Sequence, residues 1–484
     1  MPDRHLGKVV FMDFCEGDCY ECAHPMIHAT IEGQRVELSP ELVEKYNRPG
    51  PRYTSYPTAP TWSENFSSAD YQKQLETSNT KHLPLSLYFH IPFCEERCTF
   101  CACSVVATKK HAVAEPYLNI LLGEVDRVAS YIDRSRLVEQ IHLGGGTPTY
   151  LDCGQLESLV GAIHKNFSIS KNAEISIEID PRVTTDAQLT TLRKLGFNRT
   201  SLGLQDFDAE VQDASGRIQT ENETRHAIET CRALGFSSVN VDLVYGLPRQ
   251  TPEKFQSTLK KVLSLNPDRI ALFNFAYVPW LHAHQRKISE GDLPGGWTKL
   301  EMFCTAIDIF QNAGYDFIGL DHFAKQGDEL LKARREGTMY RNFQGYTTKA
   351  QCDMLAFGVT AIGYVDGAFV QNAKKLKDYE DAISQKGWAT CHGMKLSGDD
   401  LKRQWVIREI FCHQKIDKKK FDGDFDLYFE KEIKSLEVLE QDGIVALGRD
   451  QITITPLGRF FLRNVGMVFD AYFKEGQKKF SKII

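Results

Sequence analysis

Between residues 84 and 280, short apolar runs alternate with amphipathic stretches. LSLYFHI (85–91), EQIHLGG (139–145), EISIEID (174–180), RTSLGLQ (199–205), SVNVDLVY (238–245) and DRIALFNFA (268–276) are rich in β-branched or aromatic residues. Each stops at Gly, Pro, Asp or a polar turn, which predicts six strands. Between them, segments such as AEPYLNILLGEVDRVASYI and ENETRHAIETCRALGF repeat apolar residues at helical spacing. Alternating strand and helix predicts a parallel sheet with right-handed crossovers. About six such units favour an α/β fold of the partial (β/α)6 barrel kind. Barrels and open α/β sheets both place their sites at the C-terminal ends of strands. Nearly all the chemically unusual residues of this chain fall there.

The flanks read differently. Residues 1–46 form an N-terminal extension of mixed character. Residues 47–83 begin with NRPGPRYTSYPTAPTW, whose prolines at 49, 51, 57 and 60 oppose helix and favour an extended arm. Tyr53, Tyr56 and Trp62 are costly to leave in water, so the arm is expected to pack on something. A lead-in helix completes that segment. The barrel and its extension take residues 84–380, of which everything after 281 is less regular. Residues 381–484 read as a C-terminal helical domain around one hairpin, DGIVALGRDQITIT, a small winged-helix-like unit.

Composition narrows the function class. The 484 residues are 42% hydrophobic and 25% charged, the balance of an ordinary globular protein. Lys and Arg number 58 against 64 Asp and Glu, a formal charge of −6. No long basic run or basic recognition helix appears, so nucleic acid is not the expected partner. No apolar stretch reaches the roughly 18 residues of a membrane span. The first fifteen residues lack an apolar signal region. The expected location is therefore the cytoplasm, where the thirteen cysteines are free thiols or metal ligands rather than disulfides.

The strongest chemical signal follows the first strand. HIPFCEERCTFCAC spaces Cys94, Cys98 and Cys101 as C-x3-C-x2-C, with Cys103 two residues on. Thiolates take soft metals and iron–sulfur clusters. Three sulfurs on a four-iron cluster leave one iron open for a small molecule. Zinc, closed by Cys103 or His90 as a fourth ligand, is the alternative. GGGTPT (144–149) ends the second strand, where glycines allow close approach to a ligand. Glu178, Gln205 and Asp242 sit in or at the ends of later strands, with Arg217 in the segment between the last two.

These motifs resemble the radical S-adenosylmethionine enzymes. From about residue 45 onward, PRYTSYPTA, SLYFHIPFC, GGGTPTYL, EISIEIDPR, GFNRTSLGLQDF, NVDLVYGLP and RNFQGYTT are similar to the oxygen-independent coproporphyrinogen III oxidases. The resemblance implies a [4Fe–4S] cluster on Cys94, Cys98 and Cys101. It implies two S-adenosylmethionine sites, one touching Tyr88, Phe100, Gly145, Glu178 and Ile362. The other touches Gly146, Thr147, Gln205, Arg217, Asp242 and Ala276. Cys103 matches a cysteine that is required but does not ligate the cluster, and Tyr88 and Cys103 count as catalytic. A 5′-deoxyadenosyl radical would convert two propionates of coproporphyrinogen III to vinyl groups in haem biosynthesis. An electron donor and an electron acceptor are implied, and a monomer is expected. Arg52, Tyr53 and Tyr56 match a segment near the substrate. Arg182, Arg286, Lys287 and Arg341 are further candidates for binding its carboxylates. A haem-handling relative with the same cluster and a zinc-stabilised binding protein are the competing readings.

One feature departs from the family. Cys15, Cys19 and Cys22 repeat the C-x3-C-x2-C spacing, with His24 and His28 close behind. A second metal site, a redox-active thiol set and a tail with incidental cysteines are all compatible with this pattern.

Overall fold

The computed structural model describes residues 26–474 and 480–482. Cys15, Cys19, Cys22 and His24 lie outside the described residues. His28 lies within them, 3.6 Å from Glu37 on the exposed face of a hairpin.

The six expected strands are present: β1 (Leu85–Ile91), β2 (Leu137–Gly145), β3 (Ser168–Ile179), β4 (Arg199–Gln205), β5 (Ser238–Tyr245) and β6 (Arg269–Asn274). They pair in parallel in chain order. Crossover helices start where the sequence caps them. Asp152 with Gln155, Thr185 with Gln188, and Thr220 with Glu223 form reciprocal capping boxes. The residues facing the helices are apolar and sealed, Leu87, Phe89, Leu143, Val241 and Leu243 among them. The residues facing the lumen are polar: Tyr88, His142, Ser176, Glu178, Asn240 and Asp242.

The region read as irregular extends this sheet at both edges. β7 (Tyr315–Gly319) and β8 (His322–Lys325) add antiparallel strands beyond β6. β9 (Asp353–Phe357) pairs in parallel with β1, followed by antiparallel β10 (Ile362–Val365), β11 (Ala368–Asn372) and β12 (Thr390–Lys395). The result is one twelve-stranded sheet, ordered β7-β8-β6-β5-β4-β3-β2-β1-β9-β10-β11-β12. β9 and β11 are five residues each and buried throughout. Without a polar alternation, such short runs carry no period to read. β12 belongs to this sheet although it lies beyond residue 380.

A second core joins the two ends of the chain. It holds Ile27 and Leu38 of the N-terminal hairpin, Tyr46 at the end of the helix that follows it, Tyr53 and Tyr56 of the arm, and Ile410, Phe411, Leu436 and Val465 of the C-terminal helices. The hairpin read from the sequence is there, as Val445–Leu447 and Gln451–Ile454, with Lys415–Asp417 as a third strand. The arm is packed as its aromatics require. Tyr53, Tyr56 and Trp62 are 3%, 3% and 6% exposed, and Trp62 stacks on Phe369 of β11. Pro49 bridges to Lys482, and Gly50 donates to the Ser481 carbonyl at 3.2 Å.

Candidate active site

The cysteine loop leaves β1 and is clamped to the barrel mouth by backbone bonds. Gly146 N–H donates to the Ile91 carbonyl and Thr147 N–H to that of Phe93, both at 2.8 Å. Thr99 donates to the Ser215 carbonyl at 2.9 Å, His284 to that of Cys101 at 2.7 Å, and Gln285 to that of Phe100 at 3.1 Å. The same Gln285 amide donates to the carbonyl of Ala276, where the chain leaves β6.

The three glycines are dictated by this clamp. A Cβ on Gly144 would lie 2.9 Å from Glu178, one on Gly145 2.7 Å from the His90 ring, and one on Gly146 2.6 Å from the Phe93 carbonyl oxygen. Gly145 also has φ +116°, a conformation that side chains disfavour.

The thiols sit in a positive setting. Arg217 Nη1 lies 3.8 Å from Cys98 Sγ, and Cys94 Sγ is 3.3 Å from the Thr147 hydroxyl. The Cys103 N–H donates to Cys101 Sγ at 3.4 Å. The Cys103 thiol, with Arg97 and Arg217 beyond it, brings the Cys101 thiol down to about 7. Burial pushes Cys94 up to about 11, so that thiol needs a metal to lose its proton. Among the described residues, no three His, Cys, Asp or Glu side chains converge on one ion. A closed zinc site would require that convergence, whereas a four-iron cluster takes one thiolate on each of three irons. His90 is also spoken for. Its Nε2 donates to the Ser104 carbonyl and its Nδ1 accepts from the Tyr88 hydroxyl, both at 3.1 Å, and burial keeps its ring neutral. The residues present therefore fit an iron–sulfur cluster better than zinc.

Beside the loop, Glu178 accepts from Gly145 N–H at 3.0 Å and pairs with His142 at 3.3 Å. Burial raises its pKa, but the His142 contact and the Gly145 bond outweigh that and hold the carboxyl below its ordinary value. An ionised carboxylate next to glycine backbone suits an ammonium or a ribose. Tyr88 stacks on His142, with ring centres 5.9 Å apart. Gln205 ends β4 at φ +72°, a strained conformation of the kind that collects at ligand sites. Arg217 donates to Asp180 at 3.1 Å and to the Gly203 carbonyl at 2.6 Å. Asp242 accepts from Ser201 and Asn240 in the lumen, and its burial, with Glu178 nearby, pushes it up to about 6.

Not every predicted residue gathers here. Ile362 opens β10 and packs with Trp62 and Phe369, on the arm side. Arg52 is half-buried, donating to the Asn274 carbonyl at 3.1 Å and to Ser481 at 3.4 Å. Burial first, then Arg463, brings it down to about 10. Tyr53 donates to Asp470 at 2.9 Å, and Tyr56 accepts from Ala471 N–H at 3.1 Å. These three anchor the arm. Arg182 is committed to Asp180 at 2.6 Å, and Arg286 and Lys287 are exposed on a short turn. Sequence reasoning missed His142, Asn240 and Gln285. The first two are legible as polar residues at every second position of otherwise apolar strands.

The comparisons agree with this geometry. The family model of the radical SAM superfamily matches residues 88–262. Fold and site together define a radical SAM enzyme. An oxygen-independent coproporphyrinogen III oxidase of Synechocystis sp. is 45% identical, over 93% of this chain and 98% of its own length. The Salmonella typhimurium enzyme of that name is 43% identical, over 93% and 99%. A solved structure of coproporphyrinogen III oxidase from Escherichia coli, itself described as a radical SAM enzyme, superposes with a TM-score of 0.86. It is 40% identical and covers 91% of this chain and all of that one. The chain belongs to the family of oxygen-independent coproporphyrinogen III oxidases. No helix among the described residues is long and apolar enough to cross a membrane.

Proposed function

We propose that this protein converts two propionate side chains of coproporphyrinogen III to vinyl groups, giving protoporphyrinogen IX and two CO2. Each arm loses one hydrogen atom, one CO2 and one electron, the last to an external acceptor. The observation that carries this reading is the cysteine loop locked onto the glycine run beside an ionised Glu178. It stands in a chain whose relatives bear that activity in their name.

Cys94, Cys98 and Cys101 would hold the [4Fe–4S] cluster. Bound together, cluster and S-adenosylmethionine supply a carbon radical able to take an unactivated hydrogen atom, which no side-chain base removes. The chain's own work is positioning and exclusion of water. Glu178 and the Gly145 backbone would orient the S-adenosylmethionine ammonium, with Tyr88 and Phe100 against the rest. Gly146, Thr147, Gln205, Arg217, Asp242 and Ala276 would form the second S-adenosylmethionine site. Cys103, exposed at the rim, would serve turnover rather than ligation. The enzyme would work as a cytoplasmic monomer fed by an external electron donor.

An anaerobic assay with coproporphyrinogen III, reductant and S-adenosylmethionine tests the proposal. Vinyl product and 5′-deoxyadenosine should form together. The deoxyadenosine without the vinyl product would refute the substrate. Cys103→Ser should keep the cluster's absorption and lose the vinyl product; full turnover would refute its role.

A further inference from the structure

A partly enclosed cavity of about 70 Å³ lies between the arm, the inner face of β1 and β9, and the helix Gly398–His413. Its volume admits a carboxyalkyl side chain and not a ring system, which needs several hundred Å³. Its wall carries three cations, Arg341, Lys349 and Arg408, and no Asp or Glu among the described residues lining it. Lys349 is neutralised by Glu139 at 3.0 Å. The other two are paired more loosely. Among the described residues, the acid nearest Arg408 is Glu409, 3.9 Å away, and its guanidinium lies over the Tyr340 ring. Arg341 donates one amino group to the Tyr53 carbonyl and acts at longer range on Asp321, which pairs with His322, while its buried Nε has no partner among the described residues. A buried guanidinium N–H left unpaired is costly and calls for an acceptor. The phenol groups of Tyr340 and Tyr364 stand in the same wall.

The cavity adjoins the reacting centre. It shares Asn342 with the barrel lumen, a space of about 180 Å³ that contains His142, Glu178 and Asp242. Ser86 in its wall is bonded to Gln140 of the lumen at 3.0 Å. Tyr88 is two residues further along β1, roughly 7 Å at the rise of a strand. A substrate with several carboxylates on one ring spans that separation.

We propose that this cavity is a carboxylate pocket, in which Arg341 and Arg408 bind a propionate that the reaction leaves intact. The assignment rests on the reading of the substrate given above. Planar guanidiniums bind carboxylates in a two-point fashion that fixes the orientation of the ring. Holding an unreacted arm there would decide which arms are presented to the lumen.

The test is fluorescence titration of the full-length holoprotein with protoporphyrin IX, which keeps only the two unreacted propionates, and with its dimethyl ester. The acid should bind about tenfold or more tightly than the ester, and added salt should erode the difference. Arg408→Gln should remove most of that preference and Arg408→Lys restore part of it, with melting temperatures unchanged. Equal affinity for acid and ester in the unmodified protein overturns the proposal without any variant. So does an undiminished preference in Arg408→Gln. Failure of the substrate reading shows separately, as absence of vinyl product from the unmodified enzyme.

Discussion

Around the cysteine loop, the bonds stay within the barrel and the segment just after it, between residues 91 and 285 of the chain. Cys94 meets Thr147, Gly145 meets Glu178, and Arg217 meets Asp180. Around the arm-side cavity they span most of it. Arg341 donates to the Tyr53 carbonyl and Gln404 to that of Tyr56 at 2.9 Å. The first region is a set of successive strand ends, each carrying its own motif. The second exists only once the two chain ends have met. Cofactor chemistry is thus built into one folding unit, and substrate enclosure into the contact between that unit and a second core.

If the two regions are separable in this way, damage to each should have its own signature. The largest effect belongs to Cys98→Ser, which removes a cluster ligand. Iron content should collapse and cleavage of S-adenosylmethionine become undetectable, as read by iron analysis and chromatography. Next comes Gly146→Ala. Its methyl group would meet the Phe93 carbonyl at 2.6 Å, and backbone cannot yield as a side chain tip can. The loop clamp should lose about 2–3 kcal/mol in denaturant unfolding, with S-adenosylmethionine cleavage falling in parallel. Glu178→Gln keeps the shape and deletes the charge. The KM for S-adenosylmethionine should rise about 10- to 100-fold while iron stays bound.

Asp242→Asn probes the lumen by pH. Its folded pKa, raised by burial to about 6, lies above the unfolded carboxyl value near 3.9. The ionised form is therefore the disfavoured one in the fold. Its stability contribution is full below about pH 4 and lost as pH rises through 6. The variant should be more stable than the parent by about 1–2 kcal/mol at pH 7.5, with the gain shrinking towards pH 4. An unchanging gap across that range would remove the lumen burial from the account. The smallest effect is expected from Tyr53→Phe. Loss of the bond to Asp470 should cost about 1 kcal/mol and leave S-adenosylmethionine cleavage intact, while weakening porphyrin binding. A drop in cleavage would show that the regions are not separable.

What could be read beforehand follows the same division. The barrel strands carry a clear period, and Cys94, Cys98 and Cys101 sit on one short segment, so fold class and cofactor site are legible. The glycine run is legible too, and the structure supplies its cause: three positions where neighbours leave no room for a Cβ. The extension strands β9 and β11 were not, because five consecutive buried residues have no phase. Arg52 reads as a surface residue or a substrate ligand, yet it is spent inside, on the Asn274 carbonyl and Ser481. Arg408 carries no motif at all. Its meaning comes from the arm and β9 arriving opposite it, which only the tertiary structure reveals.

The bridge between Pro49 and Lys482 has a consequence for biogenesis. It ties a strip translated early to one translated hundreds of residues afterwards. While the polypeptide is still emerging, the early strip lacks its latch at that point. That contact is therefore among the last that synthesis makes available to the fold.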